Sequence, residues 1–103
     1  MTLKNDLWQR QYNERMPPLG DEFEIRGIDL NLLDIDSAGC ISSYIKQGML
    51  DPWRLSTLGI CYGELCTVVP LLEGERNKYF ERWQELTLLI LREIYNKTEK
   101  EHG

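Results

Sequence analysis

Apolar residues along this chain fall into stretches of helical spacing divided by Pro, Gly and Asp. Leu3, Leu7, Trp8 and Tyr12 recur every three or four positions among polar neighbours, and Pro17-Pro18 followed by Gly20 closes the stretch. Residues 2–15 therefore read as a short amphipathic helix with a narrow apolar stripe. The next segment, 19–36, has no single period. Phe23, Ile25 and Gly27 alternate as a strand would, whereas Ile28, Leu30, Leu32, Leu33 and Ile35 suit an extended or briefly helical piece lying on a core. With no second strand in view to pair with it, the segment reads as a connecting loop holding at most one helical turn.

From Asp36 the punctuation is clearer. Asp36 or Ser37 can accept from the free N–H groups of a first helical turn, and Gly48 can take the left-handed conformation that closes the last. The spacing predicts a helix over 38–47 that buries Cys40, Ile41, Tyr44 and Ile45. Asp51-Pro52 repeats the start signal, with Asp at the cap and Pro where no N–H is needed. A third helix then runs over 52–69 with Leu55, Leu58, Tyr62, Leu65 and Val69 along one side. Pro70 interrupts it with a kink or a stop near 69, because its ring would collide with the carbonyl of Cys66 and it has no N–H to donate.

A last helix is expected over 75–98. Projected at about 100° per residue, Phe80, Trp83, Ile90, Leu91 and Ile94 lie together, flanked by Tyr79 and Leu86 on one side and by Leu88 and Tyr95 on the other. That arc is about 200° wide, against about 100° for a helix with one buried face, so two sides of it must be covered. The fold expected is all-α: a bundle of three core helices and a short N-terminal helix in one domain over 1–103. Its parts are the N-terminal helix and proline turn (1–19), the connecting segment (20–36), the three-helix core (37–98) and a hydrophilic tail (99–103). Connections this short favour antiparallel neighbours.

Charge changes the picture next. The chain carries a net −5 and a pI near 4.8. Phosphate binding draws on Lys and Arg, so nucleic acid is a poor expectation. The excess is local: Asp21, Glu22, Glu24, Asp29, Asp34 and Asp36 face only Arg26 between Gly20 and Asp36. Such a segment suits a basic protein partner. No membrane association is expected, since the longest apolar stretches, such as Leu86 to Leu91, fall far short of the ~20 residues of a membrane span. The polar start at Met1-Thr2-Leu3-Lys4 does not resemble a signal peptide, and three cysteines (Cys40, Cys61, Cys66) do not make a disulfide framework. A reduced, cytoplasmic protein is the expectation.

Motifs for chemistry are incomplete. Asp34-Ile35-Asp36-Ser37-Ala38-Gly39 begins as a calcium loop does, but its fifth and twelfth positions are Ala38 and Ile45, which offer no side-chain oxygen. Cys61 and Cys66 would need further zinc ligands that the single histidine, His102, is badly placed to supply. Neither a nucleophile elbow nor a phosphate-cradling glycine loop is present, and the sequence implies no catalytic residue, metal or cofactor. Gly59 and Gly63 stand one turn apart inside a helix, where each costs roughly 1 kcal/mol relative to Ala. The plain account is close approach of another helix; the alternative is a ligand groove walled by Trp53, Tyr62 and Trp83.

These features favour a non-enzymatic interaction protein with a regulatory or adaptor role. It would be a homodimer through the last helix, with Trp8, Leu86, Leu88, Leu89 and Tyr95 as interface candidates. The alternative expectation is a helical small-molecule sensor or carrier using the Gly59/Gly63 groove.

Overall fold

The computed structural model describes residues 3–102, with side chains through Lys97. It is all-α apart from one two-residue hairpin. Helix α1 spans Leu3–Asn13, strands β1 and β2 span Glu24–Ile25 and Ile28–Asp29, α2 spans Leu30–Gln47, α3 spans Pro52–Val68, a single 3-10 turn covers Val69–Leu71, and α4 spans Gly74–His102. At about 1.5 Å per residue, the 29 residues of α4 run about 43 Å and set the 48 Å long axis of the molecule. The readings that concern the tail side chains, His102 included, lie outside the described residues.

The main departure from the expected elements is at α2, which begins at Leu30 and not at 38. Its cap is Asp29, whose carboxylate accepts from the backbone N–H of Asn31 at 2.8 Å and of Leu32 at 3.2 Å. Asp36 and Ser37, expected as caps, lie mid-helix. The buried stripe is Leu30, Leu33, Ser37, Cys40, Ile41 and Tyr44. Serine at a core position and the exposed Leu32 and Ile35 between the buried ones blur the period, which is why the first turns look irregular in sequence. The C-terminal end falls where expected: Gly48 at φ 75° donates its N–H to the Tyr44 carbonyl at 2.7 Å.

A second strand does exist. Ile25 pairs with Ile28 across a two-residue turn, Arg26-Gly27, with φ of 54° and 79°, the left-handed pair that a tight hairpin requires. Asp51 and Pro52 open α3 as expected, the Asp51 carboxylate accepting from the Arg54 N–H at 2.8 Å. Pro70 stops it in the 3-10 turn.

The wide apolar arc of α4 is covered on both sides by its own chain. Phe80, Trp83, Leu86 and Ile90 are buried, with Tyr44, Ile41, Leu58 and Leu65 from α2 and α3 in the same core. On the other flank α1 lies antiparallel to α4: Lys4 pairs with Glu93 at 2.9 Å, while Gln11 donates to the Tyr79 carbonyl at 3.2 Å and accepts from Arg82 Nε at 2.9 Å. Trp8 is half-buried, its ring 6.4 Å from that of Trp83. Two of the interface candidates are thereby corrected: Leu86 is fully enclosed and Trp8 packs on the body. Leu88 and Leu89 are half-buried and Tyr95 is exposed.

Candidate functional site

Polar side chains on the α1, α2 and α4 side are tied together. Asp34 Oδ1 accepts from the Tyr79 hydroxyl at 2.6 Å and from Trp83 Nε1 at 2.8 Å. Burial, and then the Asp34 carboxylate, push the Tyr79 hydroxyl well above the ordinary tyrosine value, so it stays a donor at neutral pH. At the other end Glu93 accepts from the Tyr44 hydroxyl at 2.5 Å, and Lys4 and Lys97 flank the Tyr44 ring. The Tyr44 hydrogen bond first, then Lys4, hold the Glu93 carboxyl below its usual range. Each of these groups has a partner inside the fold.

The six acids of the connecting segment divide into two sets. Asp29 caps α2, Asp34 is the internal acceptor just described, and Asp36 lies on the far side of α2. Asp21, Glu22 and Glu24 remain, and they gather with Glu73 around a cleft of about 450 Å³ that Ile25, Leu71 and Leu72 also line. The only cation in its lining is Arg76, which donates to Glu22 at 2.7 Å and to the Pro18 carbonyl at 2.8 and 3.1 Å. Arg76 thus straps the connecting segment to α4 and is already occupied. Four carboxylates against one guanidinium leave the cleft at −3, with Ile25, Leu71 and Leu72 in the same lining. Asp21, Glu22 and Glu24 are visible in the sequence as an acidic run, whereas Glu73 and Arg76 are not, because the fold alone brings residue 73 beside residues 21–25.

The residues proposed for a ligand groove do not converge. Trp83 is buried against Asp34. Gly59 and Gly63 are exposed on the outer side of α3, and a Cβ at either would meet nothing within 4 Å beyond the helix itself among the described residues. Close packing of another helix of this chain, the plain account of these glycines, is therefore also corrected. Tyr62 lies beside Cys66, and Trp53 is 78% exposed.

Burial pushes the Cys61 thiol up to about 11 and raises Cys40, so both are protonated at neutral pH and poor nucleophiles. Among the described residues no group of three or more His, Cys, Asp or Glu is placed to hold a metal, and no helix is long and apolar enough to cross a membrane. Comparison with known proteins adds nothing to the geometry: no family model, no curated protein and no solved structure matches this chain.

Proposed function

We propose that this chain is a non-enzymatic interaction protein, regulatory or adaptor in role, that holds a basic segment of a partner in the cleft between its hairpin and the start of α4. The observation that carries this reading is the lining: four carboxylates share the cleft with Ile25, Leu71 and Leu72, and the one cation among them is consumed by Glu22 and the Pro18 carbonyl. A segment alternating Lys or Arg with Leu would place apolar side chains on Ile25, Leu71 and Leu72 and its cations at the rim. Opposite charge at a solvent-facing rim speeds association and selects partners, and salt weakens it. The free cysteines fit a reducing, cytoplasmic setting.

Fluorescence anisotropy with a labelled peptide of alternating lysine and leucine tests the reading. Binding should be saturable, should weaken as salt rises, and should fall by about tenfold or more in the triple variant Asp21→Asn, Glu24→Gln, Glu73→Gln, a loss of about 1.4 kcal/mol. Glu22 is left in place because it holds Arg76. Binding indifferent to the triple variant would refute the assignment.

A further inference from the structure

The outer face of α3 has a pattern that the fold does not use. Trp53, Ser56, Ile60, Gly63 and Thr67 recur at alternating intervals of three and four, the spacing of a helix-pairing seam, and all five are exposed. The residues that hold α3 to its own chain, Leu58, Cys61, Leu65 and Val68, form a separate buried stripe. Trp53 and Ile60 are 78% and 65% exposed, and Ile35 on the adjoining side of α2 is 63% exposed. Ile35, Gly39, Cys40, Trp53 and Thr57 line an open cleft of about 500 Å³ between the two helices.

The glycines sharpen the point. Neither Gly59 nor Gly63 has a positive φ, and neither is crowded by the described residues of its own chain. Two helix-interior glycines cost roughly 2 kcal/mol relative to alanine, and no contact among the described residues of one copy requires them. A backbone or a large side chain arriving from outside would.

We infer that the outer face of α2 and α3 is where a second copy of this chain docks, the two α3 helices lying antiparallel about a two-fold axis near residue 58. The face complements itself. That operation sets Trp53 against the partner subunit's Gly63 and Ile60 against the partner subunit's Ser56, each contact occurring twice. Contacts between Cys40 and Arg54, and between Ser37 and Cys61, put the middle of α2 level with the middle of α3. The same axis therefore sets Ile35 against the partner subunit's Gly39.

Charge on the α3 part of this face is sparse, which suits a second copy. Molecules of net −5 repel, yet α3 contains only Arg54 and Glu64 as charged residues. They are opposite in sign, and Arg54 is paired with the Asp51 cap of its own chain. Asp36, the one acid lining the cleft, has Arg54 in the same lining. Area agrees with a reversible dimer. Two neighbouring helices about 25 Å long and together about 20 Å wide offer ~500 Å² per copy, hence ~1,000 Å² in all, the lower limit for a specific interface.

Sedimentation equilibrium of the full chain over micromolar to hundreds of micromolar concentrations decides the matter. The expected result is a monomer–dimer equilibrium little changed by high salt, with a dissociation constant raised about tenfold or more by Trp53→Ser and by Gly63→Gln. Far-UV circular dichroism and the denaturation midpoint of dilute samples should show both variants folded, since both sites are exposed. A wild-type monomer throughout the range would overturn the inference, as would a dimer that both folded variants leave unchanged. The inference is independent of the acidic cleft: the triple carboxylate variant should remain dimeric.

Discussion

The flank of the bundle where α1 and α2 meet α4 differs sharply from the outer side of α3. On the first, polar groups reach across long stretches of sequence: Asp34 to Tyr79 and Trp83, Gln11 to Tyr79 and Arg82, Lys4 and Tyr44 to Glu93. These bonds fix the register of α1 and α2 on α4. On the second, the side-chain hydrogen bonds of Thr57 and Thr67 go only to the preceding turn of α3, at 3.0 and 3.1 Å, and large apolar side chains stand in solvent. One flank is committed to making the fold unique; the other presents exposed apolar side chains, and the proposed association draws on them.

Substitutions separate the two flanks, and the largest effect belongs to tryptophan. Trp83→Ala empties a buried site and removes the donor to Asp34, and should cost about 3–5 kcal/mol in chemical denaturation. Trp53→Ala, the same change on the outer face of α3, should lie within about 0.5 kcal/mol in dilute samples. Equal losses would erase the distinction. Next in size, Asp34→Ala leaves the Tyr79 hydroxyl and Trp83 Nε1 without their acceptor and should cost about 1–3 kcal/mol. Smaller, and opposite in sign, is Thr87→Val. The Thr87 hydroxyl is buried with no partner among the described residues, so replacement by a methyl group of the same shape should stabilise by roughly 1 kcal/mol.

The smallest effect is a pH dependence on the interlocked flank. Glu93 has its carboxyl pKa lowered in the folded protein, chiefly by the Tyr44 hydroxyl and then by Lys4. The stability this contributes is present above the ordinary glutamate value of 4.5 and is lost as pH falls through the lower folded value. Denaturation midpoints should drop between neutral and acidic pH, and Glu93→Gln should flatten the drop. Tyr44 and Tyr79, both raised, act in the other direction: their contribution is complete below the ordinary tyrosine value of 10.0 and fades as pH rises beyond it.

Punctuation residues made much of the architecture legible in the sequence. Asp51-Pro52, Gly48 and Pro70 mark helix ends for reasons of capping, left-handed φ and the missing N–H, and the structure places ends at each. The arc on α4 correctly called for cover on two sides, but periodicity cannot say whose residues provide it. Here α1 does, through Gln11, a polar residue in a buried position that no apolar pattern would select. The start of α2 was hidden because Ser37 occupies the stripe and because Asp29 caps from inside a hairpin turned by Arg26, an uncommon residue at φ 54°.

The candidate surfaces were legible only in part. Acidity between residues 20 and 36 is visible along the chain; the meeting of Asp21, Glu22 and Glu24 with Glu73, and the use of Asp29 as a cap and Asp34 as an internal acceptor, arise from folding. Gly59 and Gly63 stand out in the sequence through their helical cost, yet their direction depends on which stripe of α3 the core takes. The spacing of Trp53, Ser56, Ile60, Gly63 and Thr67 is the signal that could have shown it.

The contrast between the flanks rests on the α3 glycines serving no internal purpose, and one experiment addresses this directly: the unfolding free energy of the double variant Gly59→Ala, Gly63→Ala, measured by denaturant titration at concentrations where the chain is monomeric. Added methyl groups pointing into solvent from a helix interior should raise stability, by up to about 1 kcal/mol per site. A loss of stability in the monomer would mean that the fold itself needs these glycines, and the account given for the outer face of α3 would be contradicted.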